Sequence, residues 1–263
     1  MILFGRRGAA IATMRRVCVV VTSSLAFFAL TTVSFAEKLL VEEVSFTTRD
    51  GVTIQATLAS PTTQSQKLPA VIFIHQGGSS RDEWVSLPIF NSVVESGMVA
   101  LAIDIRGHGD SSGKADFDTL FDDPNQAPQD LRAAIDFLMT TGLVDRSRVA
   151  VVGASIGSNL ACVASGNETY NVKTAVAMSG KTSAVLNLAG VDRPELGMKS
   201  VFHISSEFDQ EGLRAEWAAE LFEMTDAPSK LEIVADSSAH GVSIFIDDPT
   251  LQDRVLRWLL ETL

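Results

Sequence analysis

The chain has 263 residues, with 32 Asp and Glu against 21 Lys and Arg, a formal net charge of −11 at pH 7. That acidity argues against a nucleic-acid binder and against adhesion to an anionic membrane face, and the length suits one domain with a large core. The two cysteines, Cys18 and Cys162, lie in no Cys/His cluster with metal-ligand spacing, so we expect neither a metal nor another cofactor.

Arg6, Arg7, Arg15 and Arg16 precede an uncharged apolar run from Val17 to Ala36. Ser34-Phe35-Ala36 places small residues at the −3 and −1 positions of a signal-peptidase site. We expect residues 1–36 to be an export signal and residues 37–263 the mature domain, secreted or periplasmic and without stable membrane association. An uncleaved anchor is the alternative, since the run approaches bilayer-spanning length. Removing 36 of 263 residues leaves 227, and losing four arginines with no acid moves the net charge from −11 to −15. Cys162 is then the one cysteine of the mature chain; it lies in an apolar segment and reads as a buried thiol.

Strand-like and helix-like segments alternate along the rest of the chain. Val44–Thr48 and Val52–Leu58 flank Arg49-Asp50-Gly51, a hairpin signal. Ala70–Ile74 reads as a buried strand, Trp84–Ser96 as a helix ended by Gly97, and Met98–Ile105 as a strand. Lys114–Pro128 is acidic, carries two prolines, and reads as a surface loop; Gln129–Thr140 has helical periodicity. Arg148–Val152, Val172–Met178, Ser200–Ser205 and Leu231–Ala235 read as strands, Gly212–Met224 and Leu251–Leu260 as helices. Buried runs alternating with helices imply an α/β fold: a mostly parallel sheet covered on both faces.

Gly153-Ala154-Ser155-Ile156-Gly157 sits between the strand at 148–152 and a helix beginning near Ser158. A strand turning directly into a helix strains its central residue and pushes that side chain outward, which suits a serine nucleophile; a bland glycine turn is the alternative. Serine needs a base. Among the four histidines, His240 follows the last predicted strand, at the same sheet edge as Ser155, and is the expected base. His203 reads as a packed core histidine, and His75 and His108 as turn or pocket residues. Asp209 follows the preceding strand and is favoured as the carboxylate that orients His240, with Glu207 as competitor. The oxyanion donors are expected from the backbone N–H groups of Ile156 and of Gly77 in His75-Gln76-Gly77-Gly78, with Gln76 as the alternative to Gly77.

These residues, with Asp104-Ile105-Arg106-Gly107-His108-Gly109-Asp110-Ser111, make the chain resemble an α/β-hydrolase, nearest to small dienelactone-hydrolase-like or serine-peptidase-like members. The order Ser, Asp, His is the family's order. Two departures stand out: Gln76 replaces a glycine common in relatives, and Ser155 replaces the cysteine of true dienelactone hydrolases. The segment Lys181–Lys199, where relatives often insert a cap, is short. The resemblance implies a serine hydrolase acting on a small-molecule ester or other acyl substrate at an open site, without cofactor. A peptidase or amidase using the same triad, and a non-catalytic binding protein on the same fold, are the other readings.

Overall fold

Arg49-Asp50-Gly51 turns the chain between β1 (Leu39–Thr47) and β2 (Thr53–Pro61), which pair antiparallel. Gly51 takes a φ of 85°, and the Thr48 hydroxyl donates to Asp50 Oδ1 at 2.6 Å. The structure, a computed structural model, describes residues 39–114, 116–192 and 196–263. The expected export signal lies outside the described residues.

The remaining strands are β3 (Leu68–Ile74), β4 (Val99–Ile103), β5 (Val144–Ala154), β6 (Thr174–Met178), β7 (Met198–Ser206) and β8 (Thr225–Val234). With β1 and β2 they form one sheet in the order β1-β2-β4-β3-β5-β6-β7-β8. β2 runs antiparallel to both its neighbours; from β4 to β8 every adjacent pair is parallel. Successive side chains of a strand point to opposite faces, and in β3 this splits the core in two. Ile72 and Ile74 pack with α4 (Ala127–Thr140), α5 (Ile156–Gly166) and α6 (Thr182–Ala189). Val71 and Phe73 pack with α1 (Asp82–Val85), α2 (Pro88–Glu95) and α9 (Leu251–Thr262). Both faces of the parallel region are therefore covered, and its strands read as continuous apolar runs. Among the described residues no helix is long and apolar enough to cross a membrane.

Several expectations needed correction. The helix expected over Trp84–Ser96 is two helices, α1 and α2. Pro88 has no N–H to continue a helix, and it pushes Leu87 into an extended conformation (φ −87°, ψ 142°). The expected loop Lys114–Pro128 contains α3 (Phe117–Asp122), whose N-cap Asp116 accepts a bond from Asp118 N–H at 3.2 Å. Strand β8 begins at Thr225, six residues before the expected start, and carries Pro228. A proline is tolerated there because β8 is the outermost strand. Among its described residues the β6–β7 connection holds the eight-residue α6 and no large cap. Further along, α7 (Leu213–Glu223) matches expectation, and a four-residue α8 (Ile244–Asp247) was not anticipated.

Ile72 lies in β3 between β4 and β5 and is 0% exposed. Ile72→Ala removes buried methyl groups from the sheet centre and is expected to destabilise the protein by about 2–5 kcal/mol. Urea unfolding should show a lowered midpoint with an unchanged slope.

Candidate active site

Ser155 occupies the turn between β5 and α5 with φ 51° and ψ −109°, a conformation L-residues rarely adopt. Its backbone is held from both sides. Its N–H donates to the Met178 carbonyl at 2.8 Å, and its own carbonyl accepts from Ser158 N–H at 3.0 Å and the Ser158 hydroxyl at 2.6 Å. The flanking glycines are required by close approach. A Cβ on Gly157 would lie 2.2 Å from the Ile74 carbonyl oxygen, and one on Gly153 would lie 2.0 Å from that of Gly157. Ile156 is the first helical residue after the serine, so its N–H is among the helix's unpaired donors at the positive end of the dipole.

Asp209 begins the turn after β7, in which Gln210 (φ 50°) and Glu211 (φ 59°) are both left-handed. This tight bend turns the Asp209 carboxylate, buried at 2% exposure, toward His240 in the loop after β8. His240 Nδ1–H donates to Asp209 Oδ2 at 2.8 Å and Oδ1 at 3.0 Å. That contact fixes the tautomer and leaves Nε2 with a lone pair able to take a proton. Glu207, the competing acid, is exposed and accepts instead from Asp236 N–H at 2.9 Å. The next residue, Gly241, abuts the Ser155 turn: a Cβ there would lie 3.3 Å from Ala154 Cβ. In this conformation no hydrogen bond joins the His240 ring to Ser155 Oγ, a contact that often tightens only when substrate binds.

Sequence left Gly77 and Gln76 open as the second oxyanion donor, and their two amides differ in what they bond. Gln76 N–H is committed to Glu83 Oε2 at 2.9 Å. The Gln76 carbonyl accepts from His75 Nδ1–H at 2.7 Å and from Ser79 N–H at 3.2 Å. In a trans peptide N–H and C=O point in opposite directions, so the Gly77 N–H faces away from His75 and stays uncommitted. His75 Nε2 accepts from Ile105 N–H at 3.1 Å, so this buried ring is a neutral bridge between two turns. Burial pushes its pKa from 6.5 down to about 4. The turn holding His108 is braced by the Asp104 carboxylate, which accepts from Arg81 N–H at 2.6 Å and Asp110 N–H at 2.9 Å.

Two polar residues at the site were not anticipated. Glu83 of α1 is partly buried, which raises its pKa, while Gln76 N–H, Ser79 and the charge of His240 oppose the rise. Ser179, just after β6, bonds both Asp209 and Gly241. Nothing in the sequence distinguishes Glu83 from neighbouring Asp82, or Ser179 from other serines. His203 is buried, its Nε2–H donating to Thr225 Oγ1 at 2.9 Å, and burial pushes its pKa down to about 3. Cys162 is fully buried in α5 and its thiol is pushed up to about 12. A cleft of about 610 Å³ between β1 and α4, lined by Phe46, Arg132 and Tyr170 among others, contains none of Ser155, Asp209 or His240.

The family described as the alpha/beta hydrolase fold matches residues 69–197, which span β3, the serine turn and α6. The chain has the α/β-hydrolase fold. Among solved structures, it is similar to an esterase from Pyrococcus furiosus, with a TM-score of 0.67 at 20% identity, covering 85% of this chain and 93% of that one. It is equally similar to an acetyl xylan esterase from Paenibacillus sp. R4, with a TM-score of 0.67 at 18% identity, covering 91% and 87%. At these identities the likeness is one of fold. A curated relative, the multifunctional-autoprocessing repeats-in-toxin protein of Vibrio cholerae, is 31% identical over 99 residues. That match covers 38% of this chain and 2% of the toxin, so the chain corresponds to a small part of the toxin's length.

The two buried histidines make stability depend on pH. In the unfolded chain each takes up a proton near pH 6.5; in the folded protein His75 does so near 4 and His203 near 3. Between these values the unfolded state binds more protons, so stability falls as pH is lowered from about 6.5 toward 4. His203→Gln cannot titrate, and its urea midpoint should fall less steeply than that of the wild type over this window.

Proposed function

We propose that this protein of α/β-hydrolase fold is an exported serine hydrolase that cleaves carboxylic esters of small or flexible acyl substrates through an acyl-enzyme. The observation that carries the reading is the 2.8 Å contact of His240 Nδ1–H with a buried Asp209, at the sheet edge where Ser155 stands on a strained strand-to-helix turn. A neutral serine hydroxyl is a poor nucleophile, and a strained, tightly supported turn is costly to keep unless its side chain does chemistry.

In this mechanism Ser155 Oγ attacks the ester carbonyl carbon as His240 Nε2 takes the hydroxyl proton. Asp209 holds the ring and stabilises the imidazolium that forms. The N–H groups of Ile156 and Gly77 bond the oxyanion of the tetrahedral intermediate. Collapse breaks the bond to the alcohol oxygen, which leaves with the proton from His240. A water molecule then gives a proton to His240 and attacks the acyl-Ser155 carbonyl; the acid is released and Ser155 recovers its proton.

One feature supports small substrates. The β6–β7 connection, which carries α6, is too short to form a deep covering domain. The esterase activities named for the two solved structures of like fold agree with ester cleavage. Export rests on the basic and apolar leader with its Ser34-Phe35-Ala36 site.

The mature protein, residues 37–263, should be labelled by a fluorophosphonate probe, and Ser155→Ala should abolish labelling. Well-folded wild type that resists the probe would instead support a binding protein on this fold. On a short-chain p-nitrophenyl ester, Asp209→Asn should lower kcat by about 10⁴-fold by favouring the wrong tautomer of His240. Glu207→Gln should leave kcat within about two-fold, because surface changes away from such features have small effects.

A further inference from the structure

Ser179 lies immediately after β6, fully buried, with a φ of 58°. Glycine would take that backbone without steric cost, yet a residue with a side chain stands there, and all of its polar groups are bonded. Its N–H donates to the Ile204 carbonyl of β7 at 2.8 Å. Its carbonyl accepts from Arg214 Nη1 of α7 at 2.8 Å. Its hydroxyl accepts from Gly241 N–H at 3.0 Å and lies 2.7 Å from Asp209 Oδ2. Since the amide can only donate and the carboxylate only accept, the single hydroxyl proton must point at Asp209.

We propose, building on the serine-hydrolase reading, that Ser179 is the positioning residue of the acid–base pair. Its hydroxyl ties the Asp209 carboxylate to the amide that follows His240, so acid and base are held in one geometry from a strand that carries neither. Gly241 N–H on Ser179 fixes where the loop after β8 approaches the nucleophile turn. The Ser179 proton on Oδ2 fixes the carboxylate plane, because the same oxygen accepts His240 Nδ1–H. Arg214, 5% exposed and bonded also to Gln210 Oε1 at 3.0 Å, secures the Ser179 carbonyl and the Asp209 turn together.

The hydroxyl has a second effect. By donating to Asp209 it withdraws charge from the carboxylate and so limits how strongly that carboxylate stabilises protonated His240. The charged groups facing this pair are Glu83 from α1, on the His240 side, and Arg214 from α7, on the Asp209 side. Both are retained in the variants below, so a changed pH profile reports the Ser179 hydroxyl.

The test compares wild type, Ser179→Ala and Ser179→Gly on a short-chain p-nitrophenyl ester, with fluorophosphonate labelling of all three. Both variants remove the hydroxyl, and glycine also relieves the left-handed backbone, so a folded glycine variant is expected even where alanine fails. In both, kcat should fall roughly 10- to 100-fold with KM little changed, as expected when a catalytic group is misplaced by a fraction of an ångström. The acid limb of kcat/KM should move to higher pH. A glycine variant with wild-type kcat and an unmoved acid limb overturns the role, even where alanine is impaired, because alanine's defect would then be backbone strain. Should neither variant fold, the Ser179 hydroxyl proton can be followed by NMR in wild type. A slowly exchanging resonance that shifts as His240 titrates supports the role, and one indifferent to that titration overturns it. Wild type that fails to label sinks the hydrolase reading and this role with it; labelled wild type matched by both variants sinks this role alone.

Discussion

Parallel strands present their carboxyl ends at one edge of a sheet, and here five such strands each end in a turn that carries part of one site. In spatial order β3 leads to the Gln76-Gly77 turn, β5 to Ser155, β6 to Ser179, β7 to Asp209 and β8 to His240. The register of each pair sets how far its turn projects. A strand slipped by one residue would turn its side chains to the opposite face, and the contacts of 2.7 to 3.0 Å among Ser179, Asp209, His240 and Gly241 would be lost together. The packed faces above and below the sheet enforce that register, so the core is what holds the chemistry in place.

Against that rigid frame the site concentrates unfavourable backbone. Ser155, Ser179, Gln210 and Glu211 all have positive φ without being glycine. Each such residue costs on the order of 1 kcal/mol or more and persists only where its surroundings over-determine it. The surroundings here are specific: the Met178 and Ile204 carbonyls beneath the two serines, Arg214 behind Ser179, and glycines where no Cβ fits. His75 belongs to the same support, since one uncharged ring orients the peptide ahead of Gly77 and reaches across to Ile105.

Much of this was legible in the sequence because the signals were local. Ala70 to Ile74 reads as a buried strand from five consecutive apolar residues, and Gly153 to Gly157 reads as a turn because glycines bracket a serine between strand and helix. What escaped was either short or long-range. Helices α3 and α8 span six and four residues, too few to display a period. The choice between Glu207 and Asp209 depends on a bend immediately after Asp209, at Gln210 and Glu211, neither of which advertises left-handed backbone. Ser179 meets Asp209 across 30 residues of chain and Gly241 across 62. Such a contact exists only once three strands are aligned, so nothing near Ser179 in the chain announces it.

The outer strand β8 has a bearing on how copies of the molecule treat one another. An unpaired sheet edge is a template on which another chain can add a strand. Here that rim carries Pro228, which contributes no amide hydrogen, together with Asp226, Lys230 and Glu232. A strand arriving from a second copy would find an interrupted ladder and would have to bury charge to complete it. The same rim leads into the loop of His240, so a blunted edge also keeps foreign backbone away from that histidine.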